Sequence, residues 1–290
     1  MNGREHVAAD NLRLWREQLA DNRELRHLQL GMLAKELADT LTEREEFPLD
    51  LPELWFPAAA GAWGQAVTTD ERLALCRALI ELHPDLLPTE EPLAEPPECP
   101  RVAQLAGEVF SQAAKAFAPL LPNARPLLLS SISELLEAVA SGEADFALLP
   151  LEDSNGIRFL RFYEELERLE LRVTHTCDVT LGEEARPDRF ALISRQYRPQ
   201  VALPADLVLE CRVSGDVPHA LHELLTVAAD TDMLLRRSDA RPISYAEGKF
   251  NHYPVLLAPK DTRVFELYLR LFLPSAAIMG RYLHVKGTEV

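Results

Sequence analysis

From Asn11 onward, the apolar residues Leu12, Trp15, Leu19, Leu25, Leu28, Met32, Leu33 and Leu37 recur at helical spacing, with Asp10 or Asn11 as an N-cap. Pro48, Pro52 and Pro57 interrupt this pattern. A second helix is predicted from the capping signature Thr69-Asp70-Glu71 and carries Leu73, Leu75, Leu79 and Ile80. Five prolines between Pro88 and Pro100, accompanied by four glutamates, predict an extended acidic linker. Beyond it, strands are predicted over 101–105, 125–129, 146–149, 171–181 and 190–193. Helices are predicted over 107–117, from Ser131 to Gly142, and over 159–169. That alternation predicts a mostly parallel α/β sheet. After Pro199 and Pro204, the pattern gives a strand (207–213), a helix (219–229), two strands (233–237 and 252–257) around a turn at Gly248, a helix (263–273) and a strand (276–285). The order βαββαβ is that of a ferredoxin-like plait.

The chain therefore divides into a helical region (1–87), a linker (88–100), an α/β lobe (101–200) and a plait (205–290), a multidomain α/β and α+β protein. Its 290 residues, 47% of them hydrophobic, suffice for two or three cored domains. The net charge of −16 argues against nucleic acid as a partner, because phosphate binding needs clustered cations. The N-terminus lacks the apolar run of a secretory signal, and no apolar stretch reaches membrane-spanning length, so a cytoplasmic protein is expected. Cys76, Cys99, Cys177 and Cys211 are widely spaced and argue against zinc or a disulfide framework; no cofactor is expected.

The chemistry-bearing stretch is 144–156, Ala-Asp-Phe-Ala-Leu-Leu-Pro-Leu-Glu-Asp-Ser-Asn-Gly. A buried strand runs into a polar elbow at its carboxyl end, where open α/β sheets place ligands. The elbow resembles the "D-(Y/F)-G-(V/L)-(V/L)-P-(I/L)-E-N-S" box of prephenate dehydratases. Further words follow in the family's order. Arg101-Val102-Ala103 with Phe110-Ser111-Gln112-Ala113-Ala114 is similar to its opening strand and "F-S-x-x-A-A" helix. Ser131-Ile132-Ser133-Glu134 through Gly142-Glu143-Ala144-Asp145 is similar to its "S-I-x-E" run, and Asp188-Arg189-Phe190 stands where the family has "T-R-F". The first helix resembles that of the fused chorismate mutase domain through Arg16 and Asn22-Arg23-Glu24-Leu25, although Gly31 stands where that domain has a carboxylate-binding Arg. A degenerate mutase remnant and an unrelated helical hairpin both remain open there.

The plait resembles the ACT domain that follows these dehydratases. Pro218-His219-Ala220-Leu221 is similar to "P-G-A-L", Asp239-Ala240-Arg241-Pro242 to "E-S-R-P", and Met279-Gly280-Arg281-Tyr282 to "L-G-S-Y". The resemblance implies L-phenylalanine or another aromatic amino acid bound by Ala220, Leu221, Asp239, Ala240 and Arg241, in a homodimer formed through the ACT domain. A purely structural dimerising module is the other reading of that segment. The resemblance also implies that Glu152, Asp153, Ser154, Asp188, Arg189 and Phe190 occupy catalytic positions.

The departures bear on activity. The family's cleft lies between two lobes, and the second lobe should fall between Leu181 and Asp188, where only a few residues stand. The lobe is thus a truncated periplasmic-binding-like unit. Asp188 replaces the Thr to which the resemblance assigns proton donation to the leaving hydroxyl, and Asp153 replaces the family's Asn, setting acceptors and negative charge against a dianionic substrate. A non-catalytic amino-acid-sensing regulator of aromatic amino acid (phenylalanine) biosynthesis is therefore the first expectation. The alternatives are a dehydratase or mutase with a rebuilt or partner-completed site, and a subunit that activates a separate enzyme. His175 and Cys177 lie two apart on one predicted strand, without a third partner, and are read as strand filler.

Overall fold

Two helix starts in the chain are written in their capping residues. Thr68 accepts a hydrogen bond from the Glu71 amide through its hydroxyl (3.3 Å), and the Glu71 carboxylate accepts one from the Thr68 amide (2.9 Å), a capping box. It opens α1 (Thr69–Leu82), which buries Leu73, Leu75, Cys76, Leu79 and Ile80. The computed structural model describes residues 68–82, 84, 93–180, 187–199, 204–243 and 248–285, together with Leu28, Gly31, Met32 and Lys35. The mutase-like positions Arg16 and 22–25 lie outside the described residues.

The chain forms two compact units, residues 1–89 with 262–274, and residues 90–261 with 275–290. In the first, α1 packs against α6 (Arg263–Phe272), with the Arg72 guanidinium 5.4 Å from the centre of the Phe272 ring.

The second unit is built on one nine-stranded sheet. Its strands are β1 (Arg101–Leu105), β2 (Arg125–Leu129), β3 (Phe146–Glu152), β4 (Arg172–Val179), β5 (Asp188–Ser194), β6 (Ala205–Val213), β7 (Leu234–Pro242), β8 (Phe250–Ala258) and β9 (Ala276–Val285). The order across the sheet is β2-β1-β3-β5-β4-β9-β6-β8-β7. Its helices are α2 (Glu108–Phe117), α3 (Ile132–Ala140), α4 (Arg161–Arg168) and α5 (Ala220–Asp230). Ser131 caps α3 by accepting from the Glu134 amide at 3.2 Å, as its sequence foretold.

The expectation of a mostly parallel sheet needs correction. Only β1–β2, β1–β3 and β4–β9 pair in parallel; β5 runs antiparallel to both of its neighbours, β3 and β4. The cause is connection length. Residues 180–187 between β4 and β5 are too few for a crossover helix, so the two strands form a hairpin. The strands of the plait are all antiparallel in the order β9-β6-β8-β7, which is the arrangement expected from βαββαβ.

Lobe and plait strands join where His175 and Thr176 of β4 pair with Leu283 and His284 of β9. A single hydrophobic core follows the sheet across this join, from Phe146, Leu148 and Phe190 to Val208, Val255 and Tyr282. Asp145 is structural: its carboxylate accepts from the Arg101 amide (2.7 Å) and its own amide donates to the Arg101 carbonyl (2.9 Å), tying the entry of β3 to β1. Part of the Pro/Glu linker is ordered as well, because Ala94 bridges to Tyr197.

Candidate functional site

Four strands of the sheet carry a β-bulge, an extra residue that re-aims a side chain. Two of these bulges create the candidate site. On β3, Pro150 pairs with Phe190 and Glu152 with Arg189, leaving Leu151 as the extra residue. On β7, Leu235 pairs with Leu256 and Arg237 with Val255, leaving Arg236 unpaired. Leu151 and Arg236 both line a cavity of about 180 Å³ between the elbow and the face of the plait strands. The bulge is the reason that the consecutive residues Arg236 and Arg237 can both reach it, since successive residues of a regular strand point to opposite faces.

The elbow itself is held by ion pairs. Glu152 accepts from Arg237 Nη1 at 2.7 Å, and Arg189 Nη1 lies 3.9 Å from its other oxygen. Arg237 Nη2 donates to the Gly156 carbonyl at 2.6 Å, a contact made possible by the left-handed turn at Gly156 (φ 79°). Asp153 is spent on the turn, accepting from the amides of Asn155 (3.0 Å) and Ile157 (2.8 Å). The bond from Ile157 is the main cause of an acid strength above the ordinary. Ser154 is exposed at the tip of the turn.

Behind the elbow, the buried Arg158 joins both halves of the sheet. Its guanidinium contacts Glu210 Oε2 at 2.6 Å and Asp239 Oδ2 at 2.9 Å, and Tyr282 donates to Glu210 Oε1 at 2.6 Å. Burial disfavours the charge of Arg158, but Glu210, Tyr163, Asp239 and Tyr282 together more than offset this, so the guanidinium is held protonated. Burial, reinforced by Glu210, pushes the Tyr282 phenol well above its usual range. Asp239 also accepts from Arg237 Nε (3.0 Å) and Nη2 (2.8 Å). Arg241 donates to the Arg158 carbonyl at 3.1 Å.

At the far side of the cavity, Arg189 forms a two-pronged pair with Asp178 (2.8 and 3.1 Å). His284 shares a hydrogen bond with Thr176 (3.0 Å) and lies 3.7 Å from Asp178. Burial lowers the affinity of its imidazole for a proton, with Asp178 acting in the opposite sense.

The residues singled out in the sequence are thus distributed unevenly. Glu152 and Arg189 line the cavity, with Asp153 and Ser154 in the adjoining turn. Asp188 opens β5 opposite Val179, and Phe190 is core, packed edge-on against Phe110 at 5.2 Å. Of the plait positions, Asp239 and Arg241 are engaged with Arg158, Ala240 is exposed, Ala220 is buried in the first turn of α5, and Leu221 is half-buried beside it. His219, which stands for a glycine of the resemblance, keeps a left-handed backbone (φ 65°). Cys177 and His175 are both buried; burial pushes the thiol up to about 12 and the imidazole down to about 4, so both are neutral. Arg158, Arg236 and Glu210 had not been singled out. Arg158 stood alone between Ile157 and Phe159-Leu160, and the doublet Leu234-Leu235-Arg236-Arg237 broke strand alternation, as a bulge does.

Among the described residues, no cluster of three or more His, Cys, Asp or Glu side chains is placed to hold a metal ion, and no helix is long and apolar enough to cross a membrane. No family model and no curated protein matches the chain. Solved structures do match. The prephenate dehydratase of Streptococcus mutans superposes with a TM-score of 0.52 at 20% identity, over 64% of this chain and 98% of that one. The chain shares that enzyme's fold. Two further structures match with lower scores. One is GqqA, described as a novel type of quorum-quenching acylase (TM-score 0.47, 20% identity, 63% of this chain and 94% of that one). The other is the Arthrobacter aurescens prephenate dehydratase, crystallised in complex with L-Phe (TM-score 0.43, 18% identity, 63% and 89%).

Proposed function

We propose that the chain is a prephenate dehydratase-like protein without dehydratase chemistry, which binds an aromatic amino acid in the cavity beside Glu152 and acts as a regulator. The observation that carries this reading is the charge pattern of the cavity. Four arginines line it, and three are committed: Arg158 to Glu210 and Asp239, Arg189 to Asp178, and Arg237 to Glu152 and Asp239. Among the described residues, Arg236 alone of the four has no carboxylate within ion-pair distance. One uncommitted cation suits one carboxylate, whereas the two carboxylates of prephenate require at least two. Glu152 offers an acceptor to an ammonium group, and Leu151, Val208, Val255 and Leu257 give the apolar wall that a hydrophobic side chain needs. The cavity, at about 180 Å³, suits a molecule of amino-acid size.

The elbow supports the non-catalytic part. A dehydratase needs donors aimed at its substrate, and here Arg189 and Arg237 already serve protein carboxylates. The β7 edge of the sheet supports a homodimer, since it exposes Leu234 (62%) and Leu235 (42%).

Calorimetry and thermal shift with phenylalanine, tyrosine and tryptophan test the reading. At least one should bind and stabilise the protein, and Arg236→Ala should weaken it by about tenfold or more through loss of a charge-assisted pair. Prephenate should be returned unchanged. No heat and no stabilisation from any of the three, or formation of phenylpyruvate from prephenate, overturns it. Light scattering reads the dimer.

A further inference from the structure

A second, larger cavity of about 400 Å³ lies between α4 and the strands β4, β6, β7, β8 and β9. Its charge runs against that of the whole chain. The protein carries 46 acidic and 30 basic side chains, yet the charged groups lining this cavity are six arginines and two glutamates. The arginines are Arg161, Arg172, Arg198, Arg212, Arg241 and Arg281; the glutamates are Glu164 and Glu167. Among the described residues, Arg161, Arg172, Arg212 and Arg241 have no carboxylate within ion-pair distance. No lysine is present, and arginine is the side chain whose fork matches a carboxylate or phosphate with two parallel bonds.

The cations come to the cavity from separate parts of the fold. Arg161 is the first residue of α4, where the positive end of the helix opposes a cation. Arg172 opens β4, Arg212 pairs with Ala277 across β6 and β9, and Arg281 follows two residues after the bulge at Met279. Five separate elements thus deliver like charge to one concavity, and folding alone gives no reason for doing so. Tyr253 and Ile278 add apolar surface to the same wall.

We propose that this cavity is a binding site for a small, multiply charged anion bearing at least two carboxylate or phosphate groups. The site is separate from the cavity of Arg236, and the proposal does not rest on the function assigned to that cavity. Pyrophosphate and citrate, each against chloride at matched ionic strength, are the probes, read by thermal shift and calorimetry on the full chain. One or both should bind and stabilise the protein. Pyrophosphate alone would assign a phosphorylated ligand, and citrate alone a polycarboxylate. The double variant Arg172→Ala/Arg212→Ala, at two exposed positions, should lose about tenfold or more in affinity, whereas Arg195→Ala, whose side chain pairs with Glu170 elsewhere, should not. Affinity should also fall as salt is raised. Absence of binding by both probes, or a double variant that binds as tightly as the parent, overturns the proposal. Failure of phenylalanine, tyrosine and tryptophan to bind would leave it standing, because those ligands report on the other cavity.

Discussion

Replacing Arg158 by methionine removes the cation that links the elbow to the plait strands while leaving the length and apolar stem of the side chain. In the parent, Arg158 and Glu210 meet at 2.6 Å with both side chains 7% exposed, and Asp239 takes the second prong at 2.9 Å. Exposed pairs contribute little, but a buried pair broken on one side leaves a charge without water or partner. The Arg158→Met variant should therefore lose about 3–5 kcal/mol of stability near neutral pH. Glu210 keeps the Tyr282 hydroxyl at 2.6 Å, which solvates only one of its oxygens. Adding Glu210→Gln should recover much of the loss, because the uncompensated charge is gone. Urea unfolding followed by far-ultraviolet circular dichroism measures these differences. Tryptophan fluorescence does not serve, since Trp15, Trp55 and Trp63 all precede the sheet. Arg168→Met, which breaks the exposed pair with Glu165, is the control and should cost less than about 0.5 kcal/mol. A loss below about 1 kcal/mol in Arg158→Met, or a double variant no better than the sum of the two single ones, would refute the reasoning.

The remaining predictions are simpler. His175 is buried, and its imidazole falls from 6.5 to about 4, through burial first and Arg198 second. A folded-state value below the unfolded one means that His175 contributes in full above pH 6.5 and loses that contribution as the pH falls to about 4, about 3 kcal/mol in all. His175→Asn should flatten the stability profile across that window, and an unchanged slope would exclude His175 as its source. Gly215 faces the backbone of Phe250, whose carbonyl oxygen lies 2.0 Å from where a Cβ would stand. Gly215→Ala should cost about 1–3 kcal/mol in the same unfolding assay, and a neutral result would show that the loop gives way freely.

Much of the fold was legible from local signals. Ser131 with Glu134 placed one helix start, and Thr69-Asp70-Glu71 placed another within a residue of the observed cap at Thr68, because a cap is decided by atoms three positions apart. Apolar runs gave the strands, and βαββαβ gave the order of the plait. The elbow at 150–156 was found for the same reason, since Asp153 organises its turn through bonds to Asn155 and Ile157. The direction of β5 was misjudged because strand pattern carries no polarity; only the short link of 180–187 shows it.

What the sequence determined by itself, then, is the set of elements, their caps and turns, and the family likeness of the elbow, all of which depend on neighbours along the chain. What only the tertiary structure decided is who faces whom. The pairing of β4 with β9 brings Glu152 against Arg237 and Arg158 against Glu210 and Asp239, residues more than fifty positions apart. Coulombic and hydrogen-bond energies depend on distances of a few ångströms through a desolvated medium, so the commitment of Arg189 and Arg237 to protein carboxylates, and the uncommitted charge of Arg236, could be read only once those distances existed.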